Sequence, residues 1–144
     1  MPRIKLQIPE RKLIALKIPI RITDLNYGQH LGNDSLVTIL HEARVQWLFS
    51  LGYSELDAGG SSLIMGELIV NYLGECFYPD ILDIEIFSGE CSRAGFELYY
   101  RVATIRNDEP LIIALAKTGM VCFDYKNRSV VVLPADLKKH LCPD

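Results

Sequence analysis

The 144-residue chain is short of several things, and each shortage closes a class of function. No run approaches the ~18 uninterrupted apolar residues of a membrane-spanning helix. The opening MPRIKLQIPERK has no apolar stretch behind its basic residues, so no secretory signal is expected. Positive charge is not in excess: the formal net charge is -3, which gives no electrostatic case for nucleic acid or an anionic membrane surface. Neither GxxxxGK[ST] nor GxGxxG occurs, which disfavours a nucleotide-hydrolysing or dinucleotide enzyme. Cys76, Cys91, Cys122 and Cys142 form no CxxC and no metal-ligand spacing. In a chain able to build a core they read as reduced thiols in a cytoplasmic setting, ahead of a disulfide framework. His41 and His140 have no partner spacing, so no metal is expected.

What is present is ordinary globular composition, 49% apolar and 23% charged, with no repeat, linker or low-complexity tract. Residues 1–144 read as one domain. The stretch 12–22, KLIALKIPIRI, is β-branched and apolar and reads as a strand that Pro19 breaks or confines to an edge. The period changes at Asn33. Leu36, Leu40, Ala43, Trp47 and Leu51 recur at steps of three and four, predicting a helix of about 18 residues capped by Asn33 or Asp34 and stopped at Gly52. Glu42 and Arg44 lie off that stripe and are expected on the helix surface. Strands are predicted over 62–74, 80–91, 95–106 and 111–124, with a short one at 129–133 and a last helical turn over 135–141. One long helix against consecutive long strands is an α+β arrangement, with the strands expected as an antiparallel meander. Such a sheet covers one side of the helix well, so self-association as a dimer or tetramer is expected.

Between the first strand and the helix lies TDLNYGQHLGND, residues 23–34, where polar residues and glycines concentrate. The spacing Asp24-x-Asn26-x-x-x-His30-x-x-Asn33, followed by His41-Glu42-Ala43-Arg44, resembles the hotdog-fold acyl-CoA thioesterases, and more narrowly the 4-hydroxybenzoyl-CoA thioesterase branch. That branch shows an Asp-x-Asp-x-x-Gly-His-x-Asn-Asn loop and then a helix with Glu-Glu-Ala-Arg. The resemblance continues through VNYLGECFYPDILDIEI (70–86) and CSRAGFELYYRV (91–102), so it spans nearly the whole chain. It implies a hotdog fold, in which one long helix is wrapped by a curved antiparallel sheet. It also implies hydrolysis of an acyl-CoA or acyl-carrier thioester, coenzyme A entering as part of the substrate with no separate cofactor, and sites formed between two subunits. The chain departs from the pattern at three places. Asn26 stands where the branch has its catalytic Asp, Gln29 where it has Gly, and Gly32 where it has the first Asn.

Thioester hydrolysis needs a donor for the developing oxyanion and a group that activates water. A helix start supplies free N–H groups and positive potential, so the resemblance assigns the backbone at Asn33 to the oxyanion; simple capping is the other role open to that residue. Asn26 either lines the site or serves as an Asx-turn residue. A carboxamide has no useful basicity, so Asn26 does not inherit the role of base. His30 ranks first as a loop anchor and second as a participant in chemistry. Gly28 and Gly32 are expected to supply positive φ or close approach, and Tyr27, Tyr72 and Trp47 either shape a pocket or pack in the core. The activating carboxylate is then sought among Asp24, Asp34 and Glu67, with Glu42 an outside candidate. Asp34 in the first helical turn is also explained by the helix dipole. Glu67 is favoured because Leu63, Met65, Ile69 and Asn71 are its same-face strand neighbours, and an apolar setting raises a carboxylate's pKa. Exposure to solvent or to a subunit interface is the alternative. For the coenzyme phosphates, Arg93, Arg101, Arg106, Lys117 and Arg128 are available, and sequence does not choose among them. The rival function is a binding module that holds acyl-CoA or an acyl carrier without hydrolysis, and Asn26 is its best support.

Overall fold

The structure, a computed structural model, describes residues 4–142. Its elements run β1 (Lys12–Pro19), a 3-10 turn (Ile22–Asp24), α1 (Asn33–Ser50), β2 (Ser62–Tyr72), β3 (Ile81–Cys91), β4 (Gly95–Arg106), β5 (Glu109–Asp124), β6 (Ser129–Val130) and α2 (Ala135–Leu141). Pro19 ends β1, as its missing N–H requires. The turn into β4 needs glycine: a Cβ on Gly95 would sit 2.3 Å from the Met120 carbonyl oxygen.

The sheet is antiparallel in the order β1-β3-β4-β5-β2, with β6 paired to β5. A meander therefore holds only for β3–β5. The chain leaves β1 on one edge, crosses the sheet as α1, and returns as β2 on the opposite edge beside β5, so the expectation of a simple meander fails at β2. The helix seals one face. Leu36, Ile39, Leu40, Ala43, Trp47 and Leu48 are buried against Leu82, Ile84 and Ile86 of β3, Leu98, Tyr100 and Val102 of β4, and Ala114, Ala116 and Met120 of β5. This is the hotdog fold that the resemblance implied. The C-terminal helix α2 adds Leu137 and Leu141 to the same core.

Two expectations need correction here. Arg44 is not on the helix surface; it is 5% exposed, under the helix. Its Nε donates to Glu55 Oε2 at 3.0 Å and its Nη1 to the Tyr100 hydroxyl at 3.2 Å. That hydroxyl shares a hydrogen bond of 2.8 Å with Thr118 Oγ1 on β5, and His41 closes on the second Glu55 oxygen. A buried guanidinium is tolerated because its counter-charge and acceptors come with it. The second correction concerns the cysteines: Cys91 and Cys142 form a disulfide, while Cys76 and Cys122 are free and buried. The pairing was invisible in sequence because 51 residues separate the partners, and only the return of α2 to the end of β3 brings them together. Four scattered cysteines therefore carry no inference about a reducing compartment. No helix among the described residues is long and apolar enough to cross a membrane.

Glu55 titrates below the usual carboxylate range: its burial acts against this, but hydrogen bonds from His41 and Arg44 and their charges outweigh it. A depressed carboxylate stabilises the fold above its unfolded pKa, and that contribution fades as pH falls through the folded value. Glu55→Gln leaves Arg44 buried without a counter-charge and should cost about 3 kcal/mol at pH 7. In chemical denaturation, the gap between wild type and variant should close as the pH drops below about 4. Separately, the denatured, unreduced protein should titrate two thiols, Cys76 and Cys122, and all four cysteines only after reduction.

Candidate active site at the start of the long helix

The loop before α1 is a small closed hairpin. The Asn26 N–H donates to the His30 carbonyl at 2.9 Å and the Gln29 N–H to the Asn26 carbonyl at 3.0 Å, while Leu25 and Leu31 pair as an isolated bridge. The tip residue Tyr27 is fully exposed and lies outside the lining of the cavity at the helix start. The positive φ expected at a glycine falls on Gln29 instead, at 64°. Gly28 and Gly32 let side chains approach the backbone closely: a Cβ on Gly28 would lie 3.1 Å from His30 Nε2, and one on Gly32 would lie 2.9 Å from Asp34 Oδ1. Asp24 is buried and held by Arg21, whose backbone N–H donates to it at 2.8 Å and whose guanidinium pairs with it at 3.2 Å. It faces a groove of about 350 Å³ that also takes Glu42 and His41, on the other side of the loop from Asn26.

Asn26 accepts the Gly28 N–H through Oδ1 at 2.9 Å. That bond fixes the amide, so Nδ2 faces His30 Nδ1, 3.4 Å away. The same Nδ1 lies 3.5 Å from the Leu31 carbonyl oxygen. The amide nitrogen only donates and the carbonyl only accepts, so the first contact is served with the imidazole proton on Nε2 and the second with it on Nδ1. An Asp at position 26 would add a second acceptor beside Nδ1 and favour the proton there.

The helix begins without a side-chain cap. Gly32, not Asn33 or Asp34, is the cap residue, and no side chain accepts from the first turn. The first intrahelical bond is Leu36 N–H to Gly32 O at 3.1 Å. Among the described residues the N–H groups of Asn33, Asp34 and Ser35 have no acceptor, which leaves donors and the positive end of the helix dipole available to a ligand. They border a cavity of about 310 Å³ lined by His30, Leu31, Gly32, Asn33, Leu36, Ile113 and the segment 72–76. The Tyr72 hydroxyl donates to the Asn33 carbonyl at 3.0 Å, tying the end of β2 to the helix start. Burial, and then the charge of Asp34, push that hydroxyl above the usual tyrosine range. At the floor, burial with a contribution from Asp80 pushes the Cys76 thiol up to about 11, so it is neutral.

Asn26, His30, Asn33 and Asp34 thus converge on the helix start, and Glu67 does not. The β2–β5 register slips between Met65 and Glu67, at Gly66. Before the slip Met65 pairs with buried Met120; after it Leu68 pairs with buried Thr118 and Glu67 pairs with Gly119. The bulge turns Glu67 to the face away from the helix, where its side chain is 56% exposed and 3.2 Å from Lys117. The expected apolar setting assumed an unbroken strand alternation. Leu73, Cys76 and Ile113 were not singled out from sequence; they sit on an irregular connection and beside a bulge in β5, where periodicity gives no signal. Trp47 belongs to the core. Among the described residues no three metal-ligating side chains come together.

Comparison with known proteins places this geometry. No curated protein sequence gives a significant match. Among solved structures, PA2801 from Pseudomonas aeruginosa, a protein proposed as a thioesterase, aligns with a TM-score of 0.80 at 20% identity, over 89% of this chain and 97% of that one. A 1,4-dihydroxy-2-naphthoyl-CoA thioesterase from Synechocystis gives 0.77 at 18%, over 89% and 94%. A 4-hydroxybenzoyl-CoA thioesterase carrying an Asp-to-Asn substitution, in complex with 4-hydroxybenzoyl-CoA, gives 0.80 at 17%, over 92% and 99%. At these identities the likeness establishes the fold. The family follows from a model of the thioesterase-like superfamily that matches residues 20–141. On that match, the chain belongs to the thioesterase-like superfamily.

Proposed function

We propose that the chain hydrolyses an acyl-CoA to the free acid and coenzyme A. The observation that carries this reading is the uncapped start of α1 opening on a cavity beside His30 and Asn26. The thioester carbonyl oxygen lies toward the N–H groups of Asn33 and its neighbours, which hold the oxyanion as the tetrahedral intermediate forms. Asn26 positions His30 beside the carbonyl, and with its proton on Nε2 the imidazole donates there. Asp34, whose carboxylate turns back over Gly32, draws the proton from the attacking water; the carbon–sulfur bond then breaks and the coenzyme thiolate takes up a proton. Tyr27 and Gly28 form the wall of the loop rather than reacting groups. Structural neighbours that act on 4-hydroxybenzoyl-CoA and 1,4-dihydroxy-2-naphthoyl-CoA support a coenzyme A thioester as the substrate form. Two copies of the chain pair through β2, the strand that ends the sheet beside β5.

A second reading rests on Asn26 itself. With no carboxylate at that position, the same cavity serves a module that holds the acyl-CoA and releases it unhydrolysed. The two readings separate on a panel of acyl-CoA thioesters with free thiol followed over time. Hydrolysis predicts turnover that Asp34→Asn lowers by about a hundredfold or more. It also predicts that Asn26→Asp raises turnover, because a carboxylate can take up the water-activating role that a carboxamide cannot. Binding without thiol release, unchanged in both variants, would support the module. Light scattering on the purified chain should return a multiple of 16.3 kDa; a monomer mass would remove the β2 pairing.

A further inference from the structure

Two carboxylates lie on the connection between β2 and β3, and only one of them is neutralised. Asp80 accepts the Phe77 N–H at 2.9 Å and pairs with Arg106. Glu75 is exposed and lines the cavity at the helix start, and no described residue forms an ion pair or hydrogen bond with its carboxylate. Arg106 meets Glu75 only at the backbone. Its Nη1 donates to the Glu75 carbonyl at 3.2 Å, while its charge is matched by Asp80.

An unpaired glutamate is ordinary on a solvated surface, but the backbone of this one is pinned on both sides. The Gly74 N–H donates to the Ile113 carbonyl at 3.1 Å, and the Cys76 carbonyl accepts the Leu31 N–H at 2.9 Å. Leu31 follows His30 in the loop, so Glu75 is held between β5 and the loop that carries the site. A Cβ on Gly74 would lie 3.1 Å from the Ile112 carbonyl oxygen, so glycine lets this connection lie close against β5.

The cavity offers that carboxylate no counter-charge. No Lys or Arg lines it, and His30 is its one basic side chain. Asp34 adds to the negative field at the rim, where its charge, behind burial, raises the Tyr72 hydroxyl. The positive end of the helix dipole acts over the first turn alone. Of the two ends of an acyl-CoA, this wall repels the coenzyme with its phosphates, which leaves the acyl group facing Glu75.

We infer that Glu75 is a specificity-determining residue that sets the charge of the acyl group, accepting cationic and neutral groups and turning away those that end in a carboxylate. The inference rests on the reading of the cavity as an acyl-thioester site and adds a charge class to it. An ammonium beyond the thioester gains a partner whose backbone is already fixed. A second carboxylate there meets like charge with no cation to offset it.

The test uses the full chain and two matched pairs of thioesters. β-Alanyl-CoA and butyryl-CoA exchange an ammonium for a methyl group; malonyl-CoA and acetoacetyl-CoA exchange a carboxylate for a methyl ketone. Thiol release and calorimetric binding are both read, at low salt and at about 0.5 M salt. At low salt, Glu75→Gln should lower the β-alanyl-to-butyryl ratio of kcat/KM or affinity about fivefold and raise the malonyl-to-acetoacetyl ratio about as much. Glu75→Lys should move both ratios further in the same directions. High salt should shrink every shift, because an exposed charge is screened. Ratios that stay put in both variants would overturn the inference, and so would shifts that salt leaves untouched, since packing and not charge would then cause them. Charge-dependent binding without thiol release keeps the role of Glu75 and rejects hydrolysis, whereas turnover with ratios insensitive to Glu75 does the reverse. A chain that takes none of the four thioesters removes both readings.

Discussion

A charged guanidinium in the packed layer between helix and sheet sets the position of everything else. Arg44 cannot slide along the sheet as a leucine could, because its two nitrogens reach Glu55 and Tyr100 at hydrogen-bonding distance and Tyr100 is fixed in turn by Thr118. Apolar contacts alone are non-directional and tolerate shifts in register; a buried polar network tolerates none without leaving a charge unpaired. Burial pushes the Tyr100 hydroxyl above its usual range, so it stays neutral and can accept from Arg44 while donating to Thr118. The helix is rigid over its 18 residues. Fixing it near its middle therefore also fixes its first turn above the end of β2, where Tyr72 meets the Asn33 carbonyl.

That placement gives the helix start its chemistry. A serine or aspartate cap would have taken one of the first-turn donors and stabilised the helix by about 1 kcal/mol. Glycine in that position gives up the stabilisation and keeps the donors. The loop hairpin then holds Asn26 and His30 beside them, with the amide orientation set by the Gly28 N–H. One residue change, carboxylate to carboxamide, thus alters more than the charge at position 26. It also puts a donor where a carboxylate would place an acceptor beside His30 Nδ1, leaving the Leu31 carbonyl as the acceptor near that nitrogen.

How much of this was legible follows from which signals are local. The helix from Asn33 and the strands at 62, 81, 95 and 109 onward declared themselves through period and turn residues, and the observed ends agree within about two residues. The loop before the helix stood out because polar residues and glycines cluster there. Three features lay outside any local pattern. Arg44 is one residue off the apolar stripe, and its burial depends on two acceptors distant in sequence, Glu55 beyond the helix and Tyr100 on β4. The β2 position beside β5 depends on where the helix delivers the chain. Glu67 was placed by counting alternation through Gly66, and a bulge there reverses every later residue.

The displaced Glu67 also shows how the two faces of the sheet divide their work. On the face away from the helix, cations and carboxylates are matched across strands: Lys12 and Arg101 with Glu85, Lys17 with Asp83, and Lys117 with Glu97 and Glu67. Exposed pairs of this kind contribute little each, and their charges are spent on one another. The helix start, in contrast, has backbone N–H groups and a dipole, with Asp34 the acidic residue of its first turn. A cation poised for a ground-state anion would hold a carboxylate product as firmly as the transition state, which gives no rate advantage. Fixed N–H donors aimed at an oxygen that gains charge only during reaction favour the transition state selectively. The charges of the outer face are thus matched among themselves, while the helix start keeps the donors on which the proposed hydrolysis depends.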